Sequence, residues 1–328
     1  SHHLGSAIDT HFDQDVSRPT FRPIVTPWRK GLGDNVDAMY HDAPVDPRGV
    51  YEITGNTGGA VYVSFTAEAG ALDGHFPSRT VGVCNDTRLD VGADGGFRLV
   101  LGGPAQERGW MALAPEASRI TVRHYWESVD PPADPPAPDL ALAIRLIGGD
   151  VPTQPRAPTD ASVAASIRRV ATYVRARTMD AVPPPGTNQP PPFVSQVPNQ
   201  FAPPVPPGDF ALAAADAAYS MAPFVLAPGE ALVMTARWPQ CRCANVNLWN
   251  RHLQTFDYLR HPVGLNRASA VAGPDGTVRI VVASEDPGVP NWLDTEGRPF
   301  GLVFWRFMLP EGPIETPQAE VVPLHSLR

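Results

Sequence analysis

The chain has little charge, few cysteines and no basic run, and each shortage excludes a class of protein. Charged residues make up 18% of the 328 residues, and the formal net charge is −8. Binding to phosphate backbones requires clustered lysine and arginine, so we expect no nucleic-acid partner. The three cysteines are an odd number without framework spacing, which does not predict a disulfide scaffold. A reducing, cytoplasmic location is the better interpretation.

Long apolar runs and the common catalytic motifs are also missing. No run approaches the ~20 apolar residues of a membrane-spanning helix, so we expect no membrane span. There is no phosphate loop, no dinucleotide-binding glycine pattern, no G-x-S-x-G and no H-E-x-x-H. We therefore expect no cofactor. Residues 1–6 resemble the remnant of an expression tag. The native N-terminus is then not visible, and export stays an alternative to the cytoplasm.

Proline is the residue in excess, with 39 in the chain. Each proline removes a backbone donor and breaks a helix interior, so this composition favours short strands joined by fixed loops. The sequence predicts a mainly β protein with two sandwich or jelly-roll-like domains, a helical insert and a proline-rich arm. The predicted boundaries are 7–130 for the N-terminal β-rich domain, 131–209 for the insert and arm, and 210–328 for the C-terminal β-sandwich domain.

Runs of β-branched and aromatic residues between turn residues predict the strands. These strands are Val50–Ile53, Ala60–Thr66, Thr80–Val83, Phe97–Leu101, Trp110–Leu113, Ser118–Trp126, Leu232–Trp238, Cys243–Trp249, Val278–Ala283 and Leu302–Leu309. Helices are predicted near Asp34–Tyr40, Leu140–Ile147, Asp160–Met179 and Phe210–Met221. In the long third helix, apolar residues recur at helical spacing from Val163, and we interpret its arginines as a solvated outer face.

The arm Pro183–Pro207 combines many prolines with apolar side chains such as Phe193, Val197 and Phe201. A pure linker would not need these apolar residues, so we predict an ordered arm that docks on a surface. An arm of this length reaches a neighbouring subunit. We therefore predict a homo-oligomer, most simply a two-fold dimer.

A polar loop at 286–298, between two apolar strands, is the candidate site. Its prolines and glycines fix the backbone, and rigid loops often hold functional groups. Asp286 and Asp294 suit a proton donor and a base, and Arg306 and Arg251 suit a carboxylate or sulfate. The alternative is that the aspartates cap turns and the arginines neutralise them. The candidate catalytic residues are Asp257, Asp286, Asp294 and Arg306.

Aromatic and amide side chains near this loop form a candidate ligand surface. The candidate ligand-binding residues are Trp249, Asn250, Arg251, Tyr258, Asn266, Asn291 and Trp292. We expect Trp292 or Tyr258 to line the main pocket beside Asp286, and core packing is the alternative for each aromatic. Cys241 and Cys243 share one face of a strand but lack further ligands, so we expect no metal site.

Three strings in the C-terminal half carry a family resemblance: NVNLWNRHLQTFDY, LNRA and DGTVRIVVASEDPGVPNWLDTEGRPFGLVFWRF. Over about Leu232–Leu309 the chain resembles domain-of-unknown-function family 1214, an uncharacterised bacterial group. GNTGGAVYVSF and GVCNDTRLDV resemble the β-rich region found upstream in the same proteins. The resemblance implies two β-sandwich units around a helical insert and supplies no reaction. The positions that match the family include Asn250, Asp257, Tyr258, Asn266, Asp286, Pro290, Asn291, Trp292, Asp294 and Arg306.

The sequence leaves three functional hypotheses open. The first is an enzyme that acts on a small organic molecule by an acid–base or hydrolytic step, in a cleft of the C-terminal domain. It requires Asp257, Asp286 and Asp294 to approach one cavity. The second is a non-catalytic protein that binds a carbohydrate or another flat apolar ligand. The third is an assembly protein, suggested by the proline-rich arm.

Overall fold

The computed structural model describes residues 2–12, 15–31, 33–70, 73–75, 77, 79–132, 138–153, 157–180, 190–208 and 212–327. The protein is mainly β, as the sequence predicts. Its elements in chain order are α1 (His2–His11), β1 (Arg22–Pro23), β2 (Ala38–Pro44), β3 (Gly49–Asn56), β4 (Tyr62–Ala69), β5 (Arg79–Asn85), β6 (Gly96–Leu101), β7 (Trp110–Met111), β8 (Ala117–Tyr125), β9 (Ala143–Gly149), α2 (Asp160–Thr178), β10 (Ala217–Val225), β11 (Glu230–Arg237), β12 (Cys243–Trp249), β13 (Gly264–Asn266), β14 (Thr277–Ala283), β15 (Trp292–Asp294), β16 (Phe300–Met308) and β17 (Gln318–Pro323). Short 3-10 helices occupy Asp86–Arg88 and Leu324–Leu327.

The strands pair into four sheets. The outer N-terminal sheet has the order β7-β6-β3-β9, and the inner N-terminal sheet has the order β1-β2-β8-β4-β5. The inner C-terminal sheet is β10-β16-β12-β13, and the outer C-terminal sheet is β15-β14-β11-β17. One apolar core lies between the two N-terminal sheets and another between the two C-terminal sheets. A third cluster joins the two inner sheets, so the four layers stack as two sandwiches face to face.

Strand alternation explains why both inner sheets are buried on both faces. In β8, Val122 points into the N-terminal core, and Arg123 belongs to the opposite face. In β16, Trp305 points into the C-terminal core and Arg306 belongs to the opposite face. The faces that carry the arginines meet in the middle of the molecule, which positions the candidate site.

Three predicted helices are wrong. The segment near Asp34–Tyr40 leads into β2, Leu140–Ile147 overlaps β9, and the described part of Phe210–Met221 leads into β10. Alanine and leucine favour helices locally, but pairing with β3 and with β16 overrides that preference. In consequence, residues 143–149 join the outer N-terminal sheet.

The long helix is confirmed as α2. Thr159 caps it by a reciprocal hydrogen-bond pair with Ser162, which matches the predicted start. The buried face differs from the predicted one, because Ile167 is exposed and Tyr173 is the buried side chain. Arg177 is half-buried rather than solvated and lines the central cavity. Neither helix of the described chain is long and apolar enough to cross a membrane.

The described part of the proline-rich arm, residues 190–208, packs on its own chain. Val194 forms a bridge with Met221, and Val205 forms a bridge with Tyr219, so the arm lies along β10. Phe193 is 2% exposed, and Phe201 packs edge-on against Trp305. These contacts use Phe193 and Phe201 within the chain, whereas Val197, the third apolar side chain that suggested a neighbouring subunit, is 50% exposed. The homo-oligomer stays a prediction, and residues 181–189 lie outside the described residues.

Candidate functional site

A cavity of about 530 Å³ lies between the two inner sheets. This volume is in the range of small-molecule sites. The strand residues that line it are Tyr40, Glu68, Arg119, Thr121, Arg123, Tyr125, Tyr219, Met221, Trp249, Phe304 and Arg306. Loops, the arm and α2 complete the wall with Ile24, Val25, Gly31, Gly33, Asp34, His75, Pro77, Ala176, Arg177, Phe193, Leu212, Ala213, Ala214 and Leu253. Both sandwiches contribute, so the cavity belongs to neither half alone.

Each inner sheet presents a tyrosine directly opposite an arginine. Tyr40 on β2 pairs with Arg123 on β8, and Tyr219 on β10 pairs with Arg306 on β16. Opposed residues of an antiparallel pair have neighbouring side chains on the same face. The cavity therefore contains two tyrosine–arginine pairs, one contributed by each sandwich.

Arg306 is only 5% exposed and has few polar contacts. Its Nη2 donates to the Gly33 carbonyl at 3.3 Å, and its Nη1 has no hydrogen-bond partner among the described residues. The guanidinium lies 4.6 Å from the ring centre of Phe304 and 5.7 Å from that of Trp249. No described carboxylate forms an ion pair with it. Arg306 is thus a buried cation held by aromatic faces rather than by an acid.

The other strand arginines of the cavity are balanced by carboxylates. Glu68, 1% exposed, accepts a hydrogen bond from Arg119 Nε at 2.9 Å, and its other oxygen lies 3.5 Å from Arg123 Nη2. Asp42 accepts from Arg119 Nη1 at 3.0 Å. Arg123 also donates to the Leu212 carbonyl at 3.0 Å. This network fixes one side of the cavity and leaves Arg306 as the strand arginine of the cavity that forms no ion pair with a described carboxylate.

A buried segment, residues 34–37, follows Gly33, whose carbonyl accepts from Arg306. The Asp34 carboxylate accepts from the Thr255 amide at 2.9 Å, and burial raises its pKa against the effect of those hydrogen bonds. Burial also raises the pKa of Asp37 to about 6, although Asn266 and Asn245 donate to its carboxylate. These contacts join the N-terminal half to strands β12 and β13 and position the cavity wall.

The apolar wall is a connected set of aromatic rings. The centres of Trp249 and Phe304 are 4.4 Å apart, and those of Tyr219 and Phe304 are 5.0 Å apart. Phe193 of the arm lies 5.4 Å from Tyr219. Such a wall suits a flat or apolar ligand body.

Two of the residues predicted from the sequence lie together in this cavity, Arg306 and Trp249. The Trp249 indole nitrogen donates to the Asp34 carbonyl at 2.9 Å, which orients the ring. Asn266 is buried next to the cavity rather than in its wall. Its amide donates to Asp37 and to the Ser128 carbonyl, each at 2.8 Å. The predicted cleft of the C-terminal domain is therefore replaced by a cavity between the sandwiches.

The three predicted carboxylates do not line the cavity. Asp286 is exposed and accepts from the Gly288 amide at 2.7 Å, as a turn aspartate does. Asp257 pairs with Arg260 at 2.6 Å. Asp294 is buried and lies 2.8 Å from His261 Nδ1. The acid–base hypothesis requires these groups in one cavity, and the described contacts tie each of them to neighbours of its own.

The remaining predicted ligand residues also lie outside the cavity. Asn291, at φ 59°, donates to the Val271 carbonyl at 2.7 Å, and the Trp292 indole donates to the Ala283 carbonyl at 3.1 Å. The expectation that Trp292 or Tyr258 lines the main pocket is not met. Tyr258 instead packs under Lys30, whose Nζ is 4.5 Å from the ring centre. Asn250 closes a turn by accepting from the His252 amide at 2.8 Å, and Arg251 is exposed.

Cys241 and Cys243 belong to no metal-binding cluster of the described chain. No group of three or more His, Cys, Asp or Glu side chains in the described ranges is arranged to hold a metal ion. The Cys241 thiol lies 3.5 Å from the Cys243 carbonyl, and burial raises the pKa of Cys241 to about 11. A thiol of this kind is protonated at neutral pH and is a poor ligand.

Sequence reasoning missed Tyr40, Arg123, Tyr125 and Tyr219. In the predicted strand Ser118–Trp126, the face with Arg123 and Tyr125 is polar in sequence and resembles a solvated one. Arginine and tyrosine alternating on one strand face were the available sign. Their meaning depends on the register with β2, whose residues are far away in the sequence.

The fold and the site define a mainly β protein of four stacked sheets with a cavity between its halves. No family model matches the chain, and no curated protein matches it. The chain is similar to an uncharacterized protein from Burkholderia cenocepacia, with a TM-score of 0.82 and 25% identity over 99% of this chain and 87% of that one. It is also similar to the VPA0106 protein from Vibrio parahaemolyticus, with a TM-score of 0.54 and 12% identity over 98% of this chain and 96% of that one. These likenesses support the fold and bring no activity with them.

Proposed function

We propose that this chain is a binding protein for a small organic molecule with a flat or apolar body, held in the cavity between the two inner sheets. The single observation that carries the proposal is the cavity of about 530 Å³ with its wall of aromatic rings. Protein interiors are normally close-packed, and both sandwich cores of this chain are made of fully buried side chains. Against that background, a space of this volume at the centre of the molecule supports ligand binding.

Met221 offers a way to close the cavity. It lies on β10 and lines the cavity, so Met221→Trp places a larger ring in the ligand space. We expect this variant to bind the neutral flat probe N-phenyl-1-naphthylamine about ten-fold or more weakly, because the ring replaces ligand contacts. Fluorescence titration measures the affinity. The control is Val225→Trp, an exposed position on the same strand. Equal affinities in the two variants would rule out the cavity as the binding site.

An acid–base enzyme is the second candidate, and the contact between His261 and the buried Asp294 favours it. A carboxylate that orients an imidazole is a common arrangement for proton transfer. If this pair is catalytic, His261→Ala lowers the hydrolysis of 4-nitrophenyl acetate by about 100-fold, and His252→Ala at an exposed turn leaves it unchanged. Equal rates in both variants would remove this candidate.

We also propose that residues from about Leu232 to Leu309 share ancestry with domain-of-unknown-function family 1214. What supports it is the length of the matching strings over about Leu232–Leu309. It names no ligand, so the proposed function depends on the cavity alone.

A further inference from the structure

Arg306, Tyr40 and Tyr125 line the cavity, and each has a polar group without a hydrogen-bond partner among the described residues. Arg306 Nη1 has no partner among the described residues. The hydroxyls of Tyr40 and Tyr125 make no hydrogen bond to any described residue either. Buried polar groups in native proteins are normally satisfied, so several unsatisfied groups in one cavity indicate what its occupant supplies.

The ion pairs of the cavity arginines indicate the charge that the ligand carries. Glu68 and Asp42 balance Arg119, and Glu68 also lies near Arg123. Arg306 forms no such ion pair with a described carboxylate, although it is 5% exposed, and Asp34 acts on it only through a longer-range electrostatic interaction. A buried charge without a partner is costly to maintain. An anion in the cavity would offset that cost, and a neutral or cationic ligand would not.

The hydroxyls of the cavity tyrosines are further hydrogen-bond donors for an anion. Burial raises the pKa of Tyr40 and of Tyr125, so both hydroxyls keep their protons at neutral pH. The Tyr219 hydroxyl accepts from the Ala214 amide at 3.1 Å, a bond that does not use the hydroxyl as a donor. All three tyrosines interact electrostatically with Arg306.

Asp34 also lines the cavity, and its carboxylate interacts electrostatically with Arg306. A dianion would meet Arg306, whose charge Asp34 already offsets in part, and would be repelled by the Asp34 carboxylate. A monoanion meets the same guanidinium with less repulsion. The planar fork of arginine suits a carboxylate in particular.

We propose that the ligand of this cavity is an organic monocarboxylate with an aromatic or flat apolar body, anchored by Arg306 and by the hydroxyls of Tyr40 and Tyr125. The proposal rests on the proposed function and names the ligand class of the same site. The aromatic wall of Trp249 and Phe304 would contact the body of the ligand.

The test compares 2-naphthoate with 2-naphthamide, which has the same ring system and no charge, by isothermal titration calorimetry. We expect the unmodified protein to bind the acid at least about ten-fold more tightly, because a charge-assisted hydrogen bond is stronger than a neutral one. In Arg306→Met this preference disappears, and the amide affinity stays within about three-fold. Arg306→Lys keeps the positive charge but loses the planar guanidinium. We expect its preference for the acid to lie between those of the unmodified protein and of Arg306→Met. The control is Arg279→Met, at an exposed arginine on the outer C-terminal sheet.

Thermal unfolding separates ligand recognition from a structural role. Replacing a buried unpaired cation by an apolar side chain is neutral or stabilising. We therefore expect Arg306→Met to melt at the same temperature as the unmodified protein or above it. A lower melting temperature would assign Arg306 to structure instead.

Equal binding of acid and amide overturns the anion class and leaves the binding function standing. Tighter binding of phenyl phosphate than of benzoate also overturns the class. If neither naphthyl probe binds at millimolar concentration, both the ligand class and the proposed binding function are overturned.

Discussion

Glu68→Gln is expected to lower the free energy of unfolding by about 3–5 kcal/mol, because it breaks a buried ion pair and leaves the arginine charge behind. Glu68 is the carboxylate between Arg119 and Arg123, and all three side chains are almost fully buried. Glutamine keeps the size of the side chain and removes its charge. Urea titration followed by tryptophan fluorescence measures the loss.

Glu52→Gln is a matched control for this experiment. Glu52 also accepts from two arginines, Arg98 and Arg145, but those side chains are 53% and 74% exposed. Exposed ion pairs contribute about 1 kcal/mol or less. Losses of equal size in the two variants would mean that the Glu68 network is not a buried ion pair in solution.

His124→Phe is expected to reduce the acid sensitivity of the fold. His124 is 0% exposed and stacks on Trp126, with the ring centres 5.9 Å apart. Burial, and then the charge of His41 on the neighbouring strand, lower the pKa of His124 from 6.5 to about 4. Between these two pH values the unfolded chain binds the proton and the folded protein does not. The contribution of the neutral His124 to the free energy of unfolding is therefore fully present above pH 6.5 and is lost as the pH falls toward 4.

The phenylalanine variant has no proton to bind at this position. We expect it to avoid a loss that reaches about 3 kcal/mol at pH 4 in the unmodified protein. His11, whose pKa is also lowered to about 4 by burial, Arg169 and Arg22, keeps part of the slope. Urea titrations from pH 7.5 to 4 measure the difference, and an unchanged urea dependence at pH 7.5 checks that the native surface is preserved. Parallel pH profiles for the two proteins would contradict the buried neutral histidine.

The strands were predictable wherever β-branched and aromatic residues lie between turn residues. Val278–Ala283 and Leu302–Leu309 are examples, and both are strands of the structure. The segments that became β9 and β10 were missed, because alanine and leucine favour helices until a partner strand is available. Local preference does not contain the information about that partner.

The candidate site was predictable only in part, for a related reason. Arg306 was predicted because it lies near the polar loop in the sequence, and Trp249 because it belongs to a set of aromatic residues in the C-terminal half. Tyr40 and Arg123 become neighbours only through the register of β2 and β8. The loop itself uses Asp286 and Asn291 to hold its own backbone. A turn aspartate and a catalytic aspartate look alike until their hydrogen bonds are known.

A crystal structure of the complex with 2-naphthoate tests the binding site most directly. We expect the carboxylate within hydrogen-bond distance of Arg306 Nη1 and the ring system against Trp249 and Phe304, between the two inner sheets. Ligand density beside Trp292 in the loop 286–298, with the central cavity free of it, would contradict the proposed site.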